Sequence, residues 1–135
     1  MSALRSRPVL AAAIAYLFLA IALTWPLAAR IGTRVPQGDH DLWQNYWNAW
    51  WWDREFRLGG TPFSTDLLFH PKGTSLGWHT HSPANMITML PVARLAEALG
   101  LDGPAAALGV VTLAGFYLAS LGGFLLAREV VGRAG

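Results

Sequence analysis

Two aspartates that flank a histidine, Asp39-His40-Asp41, are the feature of the sequence most suited to chemistry. Paired carboxylates can hold a divalent cation, or one can act as a general base while the other positions it. Aspartate is also a preferred N-cap, and the helix dipole favours anions at that end, so capping is the competing interpretation. One cap needs only one aspartate, however. Asp39 and Asp41 are therefore the candidate catalytic and metal-binding residues.

Polar side chains that could contact a ligand recur further along the chain. His79 and His81 form a His-X-His pair, which suits a zinc site carried by a strand, but no firm third ligand is specified, so zinc is disfavoured. Contacts to a substrate or a lipid headgroup are favoured over zinc, and ordinary loop histidines are the simplest interpretation. The candidate substrate-binding residues are His70, Lys72, His79 and His81.

The segment from about residue 41 to 58 predicts a helix that begins at the acidic motif. Trp43, Trp47 and Trp50 recur at i, i+4 and i+7 and so share one face, and Gly59-Gly60 ends the pattern. Tryptophan favours places with one apolar and one wet side, which predicts a helix lying along a membrane interface. The residues expected to form a solvated polar end are Asp53, Arg54, Glu55 and Arg57.

The composition is that of a membrane protein. The 135 residues are 53% hydrophobic and 13% charged, whereas soluble domains are about 25% charged. A formal net charge of +2 gives no reason to expect a nucleic-acid partner. Because the chain has no cysteine, disulfides, thiolate nucleophiles and cysteine-ligated metals are excluded.

A first uncharged stretch predicts a transmembrane helix over residues 8–29. As a helix it would be about 33 Å long, which is enough for a hydrocarbon core of about 30 Å. A cleaved signal peptide is the alternative, since Arg5 and Arg7 fit its basic start. The apolar run is longer than the usual ~7–15 residues of such peptides, so a retained helix is favoured. Trp25 and Pro26 suit its interfacial end.

A second uncharged stretch predicts another transmembrane helix over residues 103–127. Gly109, Gly115, Gly122 and Gly123 lie within it. Small residues allow transmembrane helices to approach closely, so we expect this helix to pack against others, although glycine is also simply tolerated in lipid.

The cations flanking these stretches predict the orientation. Arg5 and Arg7 precede the first, and Arg128 and Arg133 follow the second. Under the positive-inside rule, residues 1–7 and 128–135 are then cytoplasmic, and residues 30–102 form an extracytoplasmic loop.

Residues 83–100 are apolar enough to suggest a third span. The segment is short, contains Pro91, and places Arg94 and Glu97 on one helical face. A charge at the centre of a bilayer costs about 2.5–3.5 kcal/mol on insertion scales, so a juxtamembrane or re-entrant helix is favoured. The predicted fold class is an all-α membrane protein, with two transmembrane helices joined by a long loop that carries juxtamembrane helices.

Several short segments together resemble a known superfamily. They are Thr24-Trp25-Pro26-Leu27, Gly38-Asp39-His40-Asp41, Trp47-Asn48-Ala49-Trp50-Trp51-Trp52, Thr61-Pro62-Phe63, Thr65-Asp66-Leu67-Leu68-Phe69-His70-Pro71-Lys72-Gly73 and His79-Thr80. Over roughly residues 15–127, the chain resembles the N-terminal region of bacterial multi-pass membrane proteins of the glycosyltransferase C (GT-C) superfamily.

The resemblance implies a function. In that superfamily an acidic motif early in the first extracytoplasmic loop carries the catalytic base, which would make Asp39 the general base. Asp41 would position it or help to hold a divalent cation, Mg²⁺ or Mn²⁺. A sugar would pass with inversion from a polyprenyl-phosphate donor to an extracytoplasmic acceptor, in the bacterial cytoplasmic (inner) membrane.

Members of the superfamily have many more transmembrane helices, and their donor-binding parts lie largely beyond the second. The resemblance therefore implies that this chain is the N-terminal part of a larger protein, that its partners include the remaining transmembrane helices, and that it is inactive alone. The alternative is a non-enzymatic membrane protein or assembly subunit whose loop is a binding surface. Transport is disfavoured because neither predicted span contains an ionisable residue.

Overall fold

The computed structural model describes residues 2–35, 40–79 and 82–134 and is mostly helical. The helices are α1 (Ser2–Leu23), α2 (His40–Leu58), α3 (Pro83–Ala98) and α4 (Gly103–Ala134), with a short 3-10 helix at Ala28–Arg30. Between α2 and α3 lie two short strands, β1 (Ser64–Thr65) and β2 (Thr74–Ser75). The predicted helical class is confirmed, and the small β ladder is an addition to it.

The chain folds as two compact units. The first consists of residues 1–30 and 112–135, and the second of residues 31–111. The division falls within α4, so this helix contributes residues to both.

In the first unit, α1 ends earlier than the sequence predicted. The helix expected over residues 8–29 stops at Leu23, and a turn leads into the 3-10 helix. Pro26 has no backbone N–H to continue the helical hydrogen bonds, and it disfavours the helical conformation at Trp25. The prediction of a helix to Ala29 was therefore wrong.

Among the described residues, one helix is long and apolar enough to cross a membrane. It is the part of α4 from Gly103 to Gly132, whereas the apolar helical part of α1, Arg7–Leu23, is shorter. The predicted span at residues 103–127 lies within α4, which continues to Ala134. The first predicted span stays a prediction.

Helices α1 and α4 meet through an aromatic contact in the first unit. The rings of Tyr16 and Phe124 lie 6.2 Å apart between centroids. A Cβ placed on Gly115, Gly122 or Gly123 would find no described atom within 4 Å. Among the described residues, nothing packs closely on these three glycines, and the packing of this helix against further helices stays a prediction.

The core of the second unit lies between α2, α3 and the first turns of α4. Trp51 and Trp52 are buried, and the rest of the core cluster consists of Ala49, Leu76, Met86, Met89, Ala93, Ala107 and Leu108. Full burial of a large apolar side chain stabilises a fold by about 1.5–3 kcal/mol, so this small core depends on its aromatic residues.

Helix α2 divides its tryptophans between the core and the surface. The helix predicted over about 41–58 is confirmed as His40–Leu58. Trp43 and Trp50 are exposed, and Trp47 stacks on the buried Trp51 with centroids 5.6 Å apart. Trp47 therefore covers the core, and only the other two members of the predicted face are free for an interface.

Helix α3 packs on α2 and has well-defined ends. It was predicted over 83–100 and is observed as Pro83–Ala98. Proline suits its first turn, where N–H groups have no helical partner. Gly100, with φ of +75°, follows its C-terminus in the left-handed conformation that glycine adopts readily. At 16 residues, α3 is shorter than a usual transmembrane helix.

The strands form an antiparallel ladder that closes a hairpin. Ser64 pairs with Ser75, and Thr65 with Thr74. At Gly73, φ is +68°, and a Cβ would lie 2.7 Å from the backbone oxygen of Thr65. Glycine is therefore required there for both its conformation and its lack of a side chain.

Candidate functional site

The first three turns of α2 present a row of polar residues. Asp41 is exposed in the first turn. Gln44 and Asn48 follow it at i+3 and i+7, so all three lie on one face, and the row extends about 10 Å along the helix axis. Asp39, the other member of the predicted pair, lies outside the described residues.

His79 lies against this face. Its Nε2 is 3.0 Å from Oδ1 of Asn48, which can only accept, so the imidazole donates from Nε2. The Gln44 Nε2 lies 3.3 Å from the same Nε2 and 3.4 Å from Nδ1. The ring also meets Trp47 edge to face at 6.1 Å. The imidazole is thus held against α2 by three side chains.

The structure therefore brings one predicted site residue to the face that begins with Asp41. His79 is distant from that face in sequence, and Asn48, only 1% exposed, holds it there. Sequence reasoning missed Asn48, although a polar residue between apolar neighbours of a helix was a signal. His81 lies outside the described residues, so its prediction stands untested.

His70 and Lys72 occupy the hairpin, and only one of them lines a groove. A groove of about 780 Å³ lies between α2 and the hairpin. Its lining residues are Trp51, Arg54, Glu55, Leu58, Ser64, Thr65, Asp66, Lys72, Gly73, Thr74 and Ser75. Lys72 is among them and His70 is not. Hydroxyl groups and both signs of charge give the groove a polar character.

Arg54 shapes one wall of this groove. Its guanidinium forms an ion pair with Glu55 and lies 5.0 Å from the centroid of the Trp51 ring. This cation–π geometry holds the guanidinium against the helix.

Asp53 belongs to an ion-pair network between α2 and α3. It is 7% exposed and accepts from Arg57 Nε at 2.5 Å and from Arg94 Nε at 2.9 Å. Arg57 also pairs with Glu97. The hydrogen bond to Asp53 raises the pKa of Arg57 above its ordinary value. The expectation that Asp53 is merely solvated was wrong, because α3 covers it and supplies a second cation.

A second polar link joins α2 to the start of α4. The Tyr46 hydroxyl donates to Oδ2 of Asp102 at 2.8 Å, and Oδ1 of Asp102 accepts from the backbone N–H of Ala105 at 2.8 Å. Burial, together with this hydrogen bond, raises the pKa of Tyr46 from 10.0 to about 12. Asp102 thus caps α4 and holds α2 at once.

Metal binding gains no support from the described part of the chain. Within residues 2–35, 40–79 and 82–134, no group of three or more His, Asp or Glu side chains could hold a metal ion. The predicted pair includes Asp39, which is outside these ranges, so the Mg²⁺ or Mn²⁺ site stays a prediction.

Known proteins offer no neighbour for this arrangement. The chain combines a helix of membrane-spanning length with a small aromatic unit that presents a polar helix face. No family model, no curated protein and no solved structure matches it.

Proposed function

We propose that this chain is part of an integral membrane glycosyltransferase of the GT-C type. It transfers a sugar with inversion from a polyprenyl-phosphate donor to an extracytoplasmic acceptor. The observation that carries the proposal is the position of His79, which is held by Asn48 against the face of α2 that begins with Asp41. Asp41 and a polar residue far along the chain thus share one face of α2.

The reaction needs one carboxylate base. The proton of the acceptor hydroxyl passes to Asp39 while the acceptor oxygen forms a bond to the anomeric carbon. The bond from that carbon to the phosphate oxygen breaks, and polyprenyl phosphate leaves with the electron pair. Attack from the face opposite the leaving group inverts the anomeric centre. A positioned base of this kind contributes about 10²–10⁴-fold to the rate.

Neighbouring groups have supporting roles. Asp41 positions the base at the positive end of the α2 dipole, where anions are favoured. His79, which Asn48 holds, contacts the donor or acceptor, and His81 is assigned the same role from the sequence alone. Lys72 offers a cation on the wall of the groove. A lipid-linked donor suits a chain with a helix of spanning length.

The test is Asp39→Asn in the natural membrane protein that contains this chain. Membranes are supplied with radiolabelled polyprenyl-phosphate sugars, and transfer to acceptor is measured. We expect kcat to fall by about 10²–10⁴-fold with little change in the donor KM, because the base acts in the transition state. Asp41→Asn should cause a smaller loss.

The matched control is Glu97→Gln, which removes a carboxylate from an exposed ion pair with Arg57 and should leave transfer unchanged. Full activity of Asp39→Asn would remove Asp39 as the base. If the unmodified protein transfers no sugar from any of these donors, the non-enzymatic alternative, a membrane protein with a binding loop, replaces the proposal.

A further inference from the structure

The hairpin between β1 and β2 exposes three consecutive apolar side chains. Leu67 is 51% exposed, Leu68 39% and Phe69 79%. We call Leu67–Phe69 the hairpin tip. Single exposed apolar residues are common, but a contiguous exposed cluster marks a surface that meets lipid or protein.

The tip is an ordered turn. Phe69 has φ of +56°, a conformation that is uncommon and strained for an aromatic residue. Its carbonyl accepts from the N–H of Lys72 at 3.1 Å and of Gly73 at 3.3 Å. The N–H of Leu67 donates to Oγ1 of Thr65 at 3.1 Å. The turn is thus held in a shape that displays the Phe69 side chain to the surroundings.

The base of the hairpin is anchored in the second unit. Thr65 is 5% exposed and Leu76 is 2% exposed, and the N–H of Leu76 donates to the carbonyl of Phe63 at 2.7 Å. Because its base is anchored, the apolar tip can insert into an apolar environment without unfolding of the second unit.

The residues around the tip favour lipid as the occupant. Asp66 precedes the tip, and His70 and Lys72 follow it, so the cationic residues lie on the side of Phe69. Lysine beside apolar residues can place its ammonium at the phosphates while the neighbours enter the acyl region. The same unit contains the start of α4, the helix of spanning length.

We propose that the hairpin tip, Leu67–Phe69, inserts into the interfacial layer of a bilayer with anionic headgroups, with Lys72 at the level of the phosphates. This surface goes beyond the proposed glycosyl transfer and does not depend on Asp39 or Asp41.

The absence of cysteine from the sequence makes a clean experiment available. The full chain with Phe69→Cys is labelled with an environment-sensitive fluorophore and reconstituted into vesicles of phosphatidylcholine and phosphatidylglycerol. We expect quenching by nitroxide-labelled acyl chains and protection from aqueous iodide. The matched control is Trp78→Cys, at a side chain that is 99% exposed and outside the tip. Its label should be quenched by iodide.

Two further variants test the cause. Leu67→Ser with Leu68→Ser, in the Phe69→Cys chain, should lose the lipid quenching while circular dichroism stays unchanged, because both side chains are exposed. Lys72→Gln should reduce the lipid quenching in anionic vesicles only. Equal iodide quenching at positions 69 and 78 would overturn the proposal. Protection of position 69 from both quenchers would also overturn it, since the tip would then contact protein. Failure of the chain to enter the vesicles would overturn it as well.

Discussion

Two residues in the second unit show why the burial and the partners of polar side chains were hard to predict from the sequence. Asn48 and Asp53 are nearly inaccessible to solvent. Asn48 contacts His79, and Asp53 accepts a hydrogen bond from Arg94, so each has a partner more than 30 residues away in the chain. A buried polar group without a partner costs about 1–3 kcal/mol, so these pairings decide whether the aromatic core is stable.

At this scale, Tyr46→Phe should destabilise the second unit by about 1.5–3 kcal/mol, because it removes one hydrogen bond to a carboxylate. The measurement is thermal unfolding of the detergent-solubilised chain, followed by tryptophan fluorescence. Tyr117→Phe, in α4 and outside this unit, is the control and should leave the transition of the second unit in place.

The raised pKa of Tyr46 makes a separate prediction for alkaline pH. The unfolded side chain titrates near 10.0 and the folded one near 12, so the folded state keeps its proton in between. Its contribution to stability is present below pH 10 and is lost as the pH rises towards 12. The Tyr46→Phe chain should lack this component. Ultraviolet absorbance of tyrosinate, compared between the two chains, measures the pKa, and a midpoint near 10 would contradict the burial of this hydroxyl.

At the scale of elements, ion pairs and one glycine decide how α2, α3 and the hairpin fit together. Asp53 joins the two helices through Arg57 and Arg94, and Gly73 allows the hairpin to close on Thr65. Neither role involves the proposed catalytic residues.

Asp53→Asn should lower the stability of the α2–α3 pair by about 1–3 kcal/mol. The substitution removes a buried negative charge that pairs with Arg57 and Arg94. Both arginine side chains are 49% exposed, so water can hydrate them and limits the loss of stability. Thermal unfolding in detergent measures the change. Glu97→Gln, whose partner is an exposed arginine, should cost about 0–1 kcal/mol. Equal effects of the two variants would mean that Asp53 is solvated, as the sequence alone suggested.

Gly73→Ala and Gly59→Ala form a matched pair. Both positions have positive φ, at +68° and +70°, but only at Gly73 would a Cβ meet backbone, at 2.7 Å from the Thr65 oxygen. We expect Gly59→Ala to lower the free energy of unfolding by about 1–2 kcal/mol because of its backbone conformation. Gly73→Ala should lower it by about 2–4 kcal/mol, because the clash with the Thr65 oxygen is added. Unfolding midpoints give the comparison, and similar values would show that the hairpin can relax.

For the whole molecule, the central question is how the chain meets the membrane. Helix α4 has the length and composition of a span, and the second unit carries two exposed tryptophans of α2, Trp43 and Trp50, and the hairpin tip. From the positive-inside rule we predict that residues 30–102 lie outside and the C-terminal arginines inside.

That orientation predicts opposite labelling of two single-cysteine chains. Ser75→Cys should react with a membrane-impermeant maleimide in intact cells stripped of any outer membrane. Gly132→Cys, where a side chain meets nothing within 4 Å, should react only after the inner membrane is opened. Labelling of both positions in intact cells, or of neither, would contradict an α4 that crosses with its C-terminal end inside.

Local patterns sufficed for much of the helical structure. The tryptophan spacing and Gly59-Gly60 predicted the bounds of α2 to within a residue. The charges of Arg94 and Glu97 were the reason to predict α3 as a helix that does not cross the membrane. The end of α1 was missed because the uncharged run continues past Pro26, and hydropathy does not register that proline lacks an N–H.

The sequence by itself determined which segments are apolar, where α2 begins and ends, and which acidic and histidine residues could do chemistry, because these depend on residue type and short-range spacing. Only the tertiary structure decided that His79 meets Asn48, that Asp53 is buried between two arginines and that Leu67–Phe69 stands exposed on an ordered turn. Those facts depend on contacts between residues far apart in the chain, and no local pattern specifies which distant side chain fills a given place in a packed core.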